Sequence, residues 1–132
     1  MQTFLLEKFL TERSCNSGEF PRVLSVSGES GDFQLQLEVT EDLDGFRGHF
    51  PGNPVLAGIV QLHWAARFCS DLFEHQSVPM EIKRLKFNNV VKPPATLSLS
   101  LRQTADLQVQ FEFSSPQHSH SSGLMIFEND PS

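Results

Sequence analysis

One segment constrains this chain more than any other. Across residues 57–75, Ile59, Val60, Leu62, Trp64, Ala65, Ala66, Phe68, Cys69, Leu72 and Phe73 cover nearly the whole circumference of a helix. A helix that is apolar all round is expected to be buried all round. It is too short and too interrupted to cross a bilayer, and no other stretch approaches transmembrane length. The rest of the chain must therefore wrap it.

What remains has the period of a strand. Phe33, Leu35, Leu37 and Val39 alternate with Gln34, Gln36 and Glu38. After Pro79, Leu85 and Phe87 alternate with Arg84 and Lys86. Leu97, Leu99 and Leu101 alternate with Thr96, Ser98 and Ser100, and Leu107, Val109, Phe111 and Phe113 with Asp106, Gln108, Gln110 and Glu112. Alternation of this kind predicts strands with one apolar face. Residues 22–27 form an expected partner strand, joined through residues 28–32. Residues 41–54 are a Gly/Pro-rich loop. Residues 114–123, rich in Ser and His, are expected as another loop before a last apolar run at 124–127. Strands wetted on one side imply an antiparallel sheet. The fold class is α+β: a curled antiparallel sheet of five to six strands around one central buried helix. Residues 1–132 are expected as one domain, with 1–18 as an N-terminal extension and 129–132 as a polar tail. Phe4, Leu5, Lys8 and Phe9 fit a short amphipathic helix in that extension.

Charge and cysteine usage narrow the function classes. The net charge of −6 gives a nucleic-acid role little electrostatic support. The basic residues cluster, with Lys83, Arg84, Lys86 and Lys92 holding four of the ten within ten positions. Such a run is either a solvated strand face or a docking patch for an acidic carrier. Cys15 and Cys69 are far apart and make no disulfide framework, so a reducing, cytoplasmic setting is the expectation. Phe4 to Leu10 is interrupted by Glu7 and Lys8 and lacks the apolar run of a signal peptide. Twelve Phe and no Tyr supply aromatic mass without hydroxyl groups, which suits an apolar interior.

The chemistry is concentrated in Gly45-Phe46-Arg47-Gly48-His49-Phe50-Pro51-Gly52-Asn53-Pro54-Val55-Leu56-Ala57-Gly58-Ile59-Val60-Gln61-Leu62-His63-Trp64-Ala65. Pro51 and Pro54 fix φ and stiffen the loop. His49 sits inside that stiff stretch, as a positioned base requires. Gly58 lies where the helix begins. Its main-chain N–H belongs to the donors that have no partner within a helix, at the positive end of the dipole. Such a donor can polarise a thioester carbonyl and hold an enolate. A residue without Cβ also permits close approach. Phe50, Pro54, Val55, Leu56, Ile59 and Trp64 surround these groups and are the candidate substrate-binding residues. For Trp64, packing in the core is an equal reading. Cys69, deep in the apolar segment, reads as a packing residue. His75 at the helix end suits the dipole. His118 and His120 lack a nearby third ligand, so no metal is expected, and no cofactor either.

This stretch resembles the hydroxyacyl-carrier-protein dehydratases of the FabA/FabZ type. In their pattern His-Phe-Pro is followed by Pro, then Pro-Gly, then an acidic residue five positions after that Gly. It is most similar to the ApeI-like dehydratases of aryl-polyene biosynthesis clusters. Residues 48–52, residues 60–65 and the later Ile82-Lys83-Arg84-Leu85-Lys86-Phe87 carry the likeness, which covers roughly residues 20–128. The resemblance implies a hotdog fold and a dimer, homomeric or with another hotdog protein, whose sheets join edge to edge. It implies sites at that interface, and a substrate carried by an acyl carrier protein or coenzyme A. By position, His49 would remove the C2 proton of a 3-hydroxyacyl thioester, the Gly58 N–H would bind the thioester oxygen, and residue 63 would protonate the departing hydroxyl.

Two positions depart from the family pattern. Ala57 stands where the family has Pro, and His63 stands where it has Asp or Glu. An imidazolium can donate a proton, and a carboxylate such as Asp42 or Asp44 could stand beside it. The departure leaves three expectations open: a dehydratase with a modified acid, a catalytically silent acyl-binding or hetero-oligomer subunit, and a hotdog thioesterase. The last lacks an early helix carboxylate, the first acid being Asp71.

Overall fold

The period-two segments become strands and the apolar segment a helix. In chain order they are β1 (Arg22–Glu29), β2 (Asp32–Val39), α1 (Gly58–Phe73), β3 (Pro79–Phe87), β4 (Ala95–Ala105), β5 (Gln108–Ser115) and β6 (His118–Phe127). They belong to a computed structural model that describes residues 12, 19–29, 31–43, 56–73 and 79–127. The N-terminal apolar pattern, Cys15, Asp44, His49, Phe50, Pro54, Val55, His75 and the polar tail lie outside the described residues.

The six strands form one sheet in the order β1-β2-β4-β5-β6-β3, with every neighbouring pair antiparallel. Alternation decides which face is dry. Phe33, Leu35, Leu37 and Val39 of β2, Leu97, Leu99 and Leu101 of β4, and Val109, Phe111 and Phe113 of β5 are all buried. The residues between them form the wet face. There the Gln34 and Gln36 amides donate to the Ser100 and Ser98 hydroxyls of β4 at 3.0 and 2.8 Å. Helix α1 lies across β4, β5 and β6 and sets Trp64, Ala65, Phe68 and Cys69 into the core. Each large apolar side chain so buried contributes about 1.5–3 kcal/mol. A sheet wrapped around one helix is the hotdog arrangement.

The structure corrects three expectations. First, α1 is not buried all round. Gln61, Trp64, Ala65, Phe68 and Cys69 face the sheet, whereas Ile59, His63 and Arg67 are exposed. Those three follow one another at intervals of four, one stripe of a helix. A single sheet covers one side of a helix, and this stripe is the side left over.

Second, residues 114–123 are not a loop. They form the end of β5, a turn at Pro116 and Gln117, and the first half of β6. The pairing shifts so that Phe113 faces Ser121 while Ser114 faces Ser119, which makes His120 the extra residue of a bulge. Gly123 belongs to the strand because a Cβ there would come within 2.8 Å of the Phe111 ring.

Third, β3 is not a regular strand, although Arg84 and Lys86 share the wet face as their alternation with Leu85 and Phe87 predicts. Lys83 pairs with Leu124 and Lys86 with Ser122, so three steps along β3 match two along β6. Arg84 takes φ +55° within this bulge. The bulge changes the parity of everything after it. Lys86 falls on the wet face, and Phe87 turns toward the helix.

Candidate functional site

The start of α1 is held by three hydrogen bonds. The Leu56 N–H donates to the Val91 carbonyl at 2.9 Å, fixing the approach to the helix onto the segment between β3 and β4. The Gln61 side chain, buried in the first turns, donates to the Leu56 carbonyl at 3.4 Å. Its own carbonyl accepts the Ser121 hydroxyl at 2.6 Å. Ser121 is completely buried and Gln61 nearly so. A polar pair in a dry interior persists only when it is mutually satisfied. Here it ties β6 to the helix start. The neighbouring segment is tied in turn by His120, whose ring nitrogens meet the Asn89 carbonyl at 3.1 Å and the Ser115 hydroxyl at 2.8 Å. The Asn88 N–H and the Asn89 amide reach the His120 and Ser119 carbonyls.

Gly58 is the first residue of α1. A Cβ on it would lie 2.5 Å from the Phe87 ring. The bulge in β3 is what delivers that ring, so the missing side chain at Gly58 is matched by an aromatic on the adjacent strand. Phe87 is half exposed, and its ring forms a wall beside the helix N-terminus. Leu56 is buried in the core, Trp64 is wholly buried, and Ile59 is 73% exposed. Among the expected substrate-binding residues, the described ones thus divide between packing and surface. Trp64 is a core residue, with its indole N–H donating to the Glu19 carbonyl at 3.0 Å.

His63 lies on the exposed stripe of α1 between Ile59 and Arg67. Its Nε2 is 3.0 Å from Glu19 Oε1, and both side chains are more than half exposed. The carboxylate beside His63 is therefore Glu19. Asp42 instead accepts a bond from the Thr40 hydroxyl. The Phe20 ring stacks on the imidazole with centroids 5.1 Å apart and planes 28° from parallel. Phe20 also packs on Phe68, and the Arg67 guanidinium lies 5.7 Å from its centroid. Arg67 reaches Asp71, the first acid of the helix, at 3.4 Å.

The four clustered cations do not all line one groove. Arg84 and Lys86 line a groove of about 400 Å³ on the wet face, with Thr104, Gln108, Gln110, Ser122, Gly123 and Leu124. Lys83 stands opposite Leu124 at the edge strand, and Lys92 is exposed in the segment before β4. Cys69 is buried, and burial pushes its thiol from 9.0 up to about 12, which leaves it without a nucleophile's character. Among the described residues no three His, Cys, Asp or Glu side chains are grouped as metal ligands would be.

Comparison with known proteins bears on this arrangement directly. Residues 25–124 match the ApeI-like family, described as ApeI dehydratase. The chain belongs to the ApeI-like family. Among solved structures, one chain of the dehydratase heterocomplex ApeI:P from Xenorhabdus doucetiae superimposes with a TM-score of 0.74 at 26% identity, over 80% of this chain and 96% of that one. An uncharacterized protein from Erwinia carotovora subsp. atroseptica gives 0.68 at 28% identity, over 81% and 94%. The dehydratase domain from the CurF module of curacin polyketide synthase, at 16% identity and a TM-score of 0.64, shares the fold. The 3-hydroxyacyl-[acyl-carrier-protein] dehydratase FabZ of Levilactobacillus brevis is 38% identical over 79 residues, 54% of this chain and 52% of that protein. Its counterpart from Fusobacterium nucleatum is 30% identical over 82 residues, 58% and 57% of the two chains. This ApeI-like chain thus spans about half the length of the FabZ relatives it matches.

Sequence reasoning placed Gly58 and His63 on one helix, as the structure has them. It missed Glu19, Phe20, Gln61, Ser121 and Phe87 as neighbours of the site. Glu19 and Ser121 are far from α1 in sequence, and only the folded sheet brings them near. Phe87 had a local signal, an aromatic in an alternating run, but the bulge that aims it does not show in that run.

Proposed function

We propose that this ApeI-like chain dehydrates 3-hydroxyacyl thioesters carried on an acyl carrier protein or coenzyme A, in biosynthesis of the fatty-acid or aryl-polyene kind. The observation that carries the reading is the family match, which spans the whole stretch from His49 to His63. In the proposed reaction His49 takes the C2 proton, the Gly58 N–H at the helix start holds the negative oxygen of the enolate, and His63 as imidazolium gives a proton to the leaving hydroxyl. Products are the enoyl thioester and water. Phe50, Pro54, Val55, Ile59 and Phe87 are proposed to line the path of the acyl chain.

The active unit in this reading is a dimer joined through the edge strand β3. That strand carries Met80, Leu85 and Phe87 exposed, with Phe87 against the start of α1 where Ile59 is also exposed, apolar surface that a partner would cover. Lys83, Arg84, Lys86 and Lys92 then offer a basic rim to an acidic carrier. The cytoplasm is the setting that such a carrier-bound substrate implies.

The test is conversion of a short 3-hydroxyacyl-carrier-protein thioester, followed by mass spectrometry as loss of water. Turnover that disappears in His49→Ala is the expected result. Native protein unable to dehydrate hydroxyacyl or hydrate enoyl thioesters, alone or with a second hotdog chain, removes the reading. A second reading is a subunit that works only in a mixed dimer. The structural neighbour named as an ApeI:P heterocomplex favours it. Its signature is activity that appears only when the two chains are mixed.

A further inference from the structure

We infer that Glu19 is the positioning residue that makes His63 serviceable as the acid, so that a His–Glu pair stands where relatives carry a single carboxylic acid. The inference rests on the dehydratase reading and concerns how its second group works.

An ion pair between two exposed side chains is ordinarily worth little, because both chains must be immobilised to form it. Here the immobilisation is built into the main chain and the rings. The carbonyl of Glu19 itself accepts the indole N–H of Trp64 at 3.0 Å, and Trp64 is wholly buried. The next residue, Phe20, is wedged between Phe68 and the imidazole. Glu19 is thus pinned at its backbone one residue from a ring that already holds His63 flat. Its carboxylate then needs to fix only its own torsions to reach Nε2 at 3.0 Å.

The consequence is chemical. An ionised carboxylate only accepts hydrogen bonds, so the ring nitrogen facing it carries the proton. Nε2 is committed to Glu19, and Nδ1 has no partner among the described residues. When the ring takes up a second proton, that proton sits on Nδ1, because Nε2 already carries its proton toward Glu19. It is the Nδ1 proton that passes to the leaving hydroxyl. The C3–O bond breaks as the C2=C3 double bond forms, water departs, and the proton taken from C2 remains on His49. Both histidines return to their starting states by exchange with solvent, which the exposed position of His63 permits. A carboxylic acid at position 63 would do this alone, whereas an imidazole needs its tautomer set.

The test combines kinetics and 15N NMR of the full chain. In the native protein the neutral His63 ring should show its proton on Nε2, and in Glu19→Gln the two tautomers should mix. Glu19→Gln should lower kcat about tenfold, a fraction of the full effect of an acid, with KM within about twofold. In a His63→Asp background the same Glu19→Gln change should cost nothing, since a carboxylic acid at that position requires no tautomer to be set. The inference is overturned if Glu19→Gln keeps native kcat and the native 15N pattern, or if its cost persists in the His63→Asp background. Native protein that is inert, alone and with a second hotdog chain, removes the dehydratase reading and the inference with it, whatever His63→Asp does. An active native protein whose kcat is indifferent to Glu19→Gln overturns the inference alone.

Discussion

Replacing Ser121 by Ala tests the buried strut at the start of α1. The hydroxyl removed is the one that donates to the Gln61 carbonyl at 2.6 Å, and the site is dry, Ser121 being 0% and Gln61 3% exposed. The Gln61 oxygen then has no donor, and a buried acceptor left unpaired costs about 1–3 kcal/mol. For a chain of 132 residues each kcal/mol moves the melting temperature by about 4 °C. Ser121→Ala should therefore melt about 4–12 °C lower. Gln61→Leu should cost a similar amount, because it strands the Ser121 hydroxyl instead. The double variant leaves neither of these groups unpaired and loses only the long bond to the Leu56 carbonyl. Its deficit should fall short of the summed single deficits by at least about 1 kcal/mol, or about 4 °C. Thermal and urea unfolding at one fixed protein concentration measure all four proteins. Strict additivity would refute the reasoning, for it would mean that the two side chains stabilise the fold independently.

Gly123→Ala should destabilise by about 1–3 kcal/mol in urea unfolding, because the new Cβ drives into the buried Phe111 ring. Gly58→Ala should leave the melting temperature nearly unchanged, since the half-exposed Phe87 ring can swing aside. It should nevertheless depress kcat in the thioester assay, where the displaced ring alters the wall beside the Gly58 N–H. Cys69 should resist thiol reagents in the folded protein and react only on unfolding, with thiolate roughly a thousandfold scarcer than at an ordinary cysteine. The same shift has a sign in stability. The folded thiol keeps its proton where the unfolded one loses it, so the Cys69 contribution is complete below pH 9 and is lost as pH rises toward 12. Cys69→Ala should flatten that part of the pH profile.

How much of this was legible follows from what each pattern depends on. Strands β2, β4 and β5 are local facts, because apolar residues two apart specify both the strand and its buried face. Helix α1 was legible as one long apolar segment, but not its buried face, because apolar residues lie on nearly every side of it. The Ser/His-rich stretch was not, because three features coincide there. His120 is an extra residue that breaks the alternation, Gly123 stands where a packed side chain would clash, and Ser121 is a polar group buried only because Gln61 meets it. Each looks like a loop residue one at a time. Their strand character exists only in the presence of Phe111, Gln61 and Asn89, which the chain supplies from elsewhere.

The site divides along the same line. The proposed motif from His49 to Gly58 was legible because it is contiguous, and the helix places His63 after it by spacing alone. Whether a histidine at position 63 marks lost activity is a question about its surroundings, and spacing carries no information on that. The surroundings are Glu19 and Phe20, forty-odd positions earlier and pinned to α1 by Trp64. A histidine left by decay of an acidic position has no reason to find an anchored carboxylate at 3.0 Å and an aromatic ring stacked on its face. The pairing therefore weighs against simple loss, and makes the response of kcat to Glu19→Gln the measurement that separates a replaced acid from a vacated one.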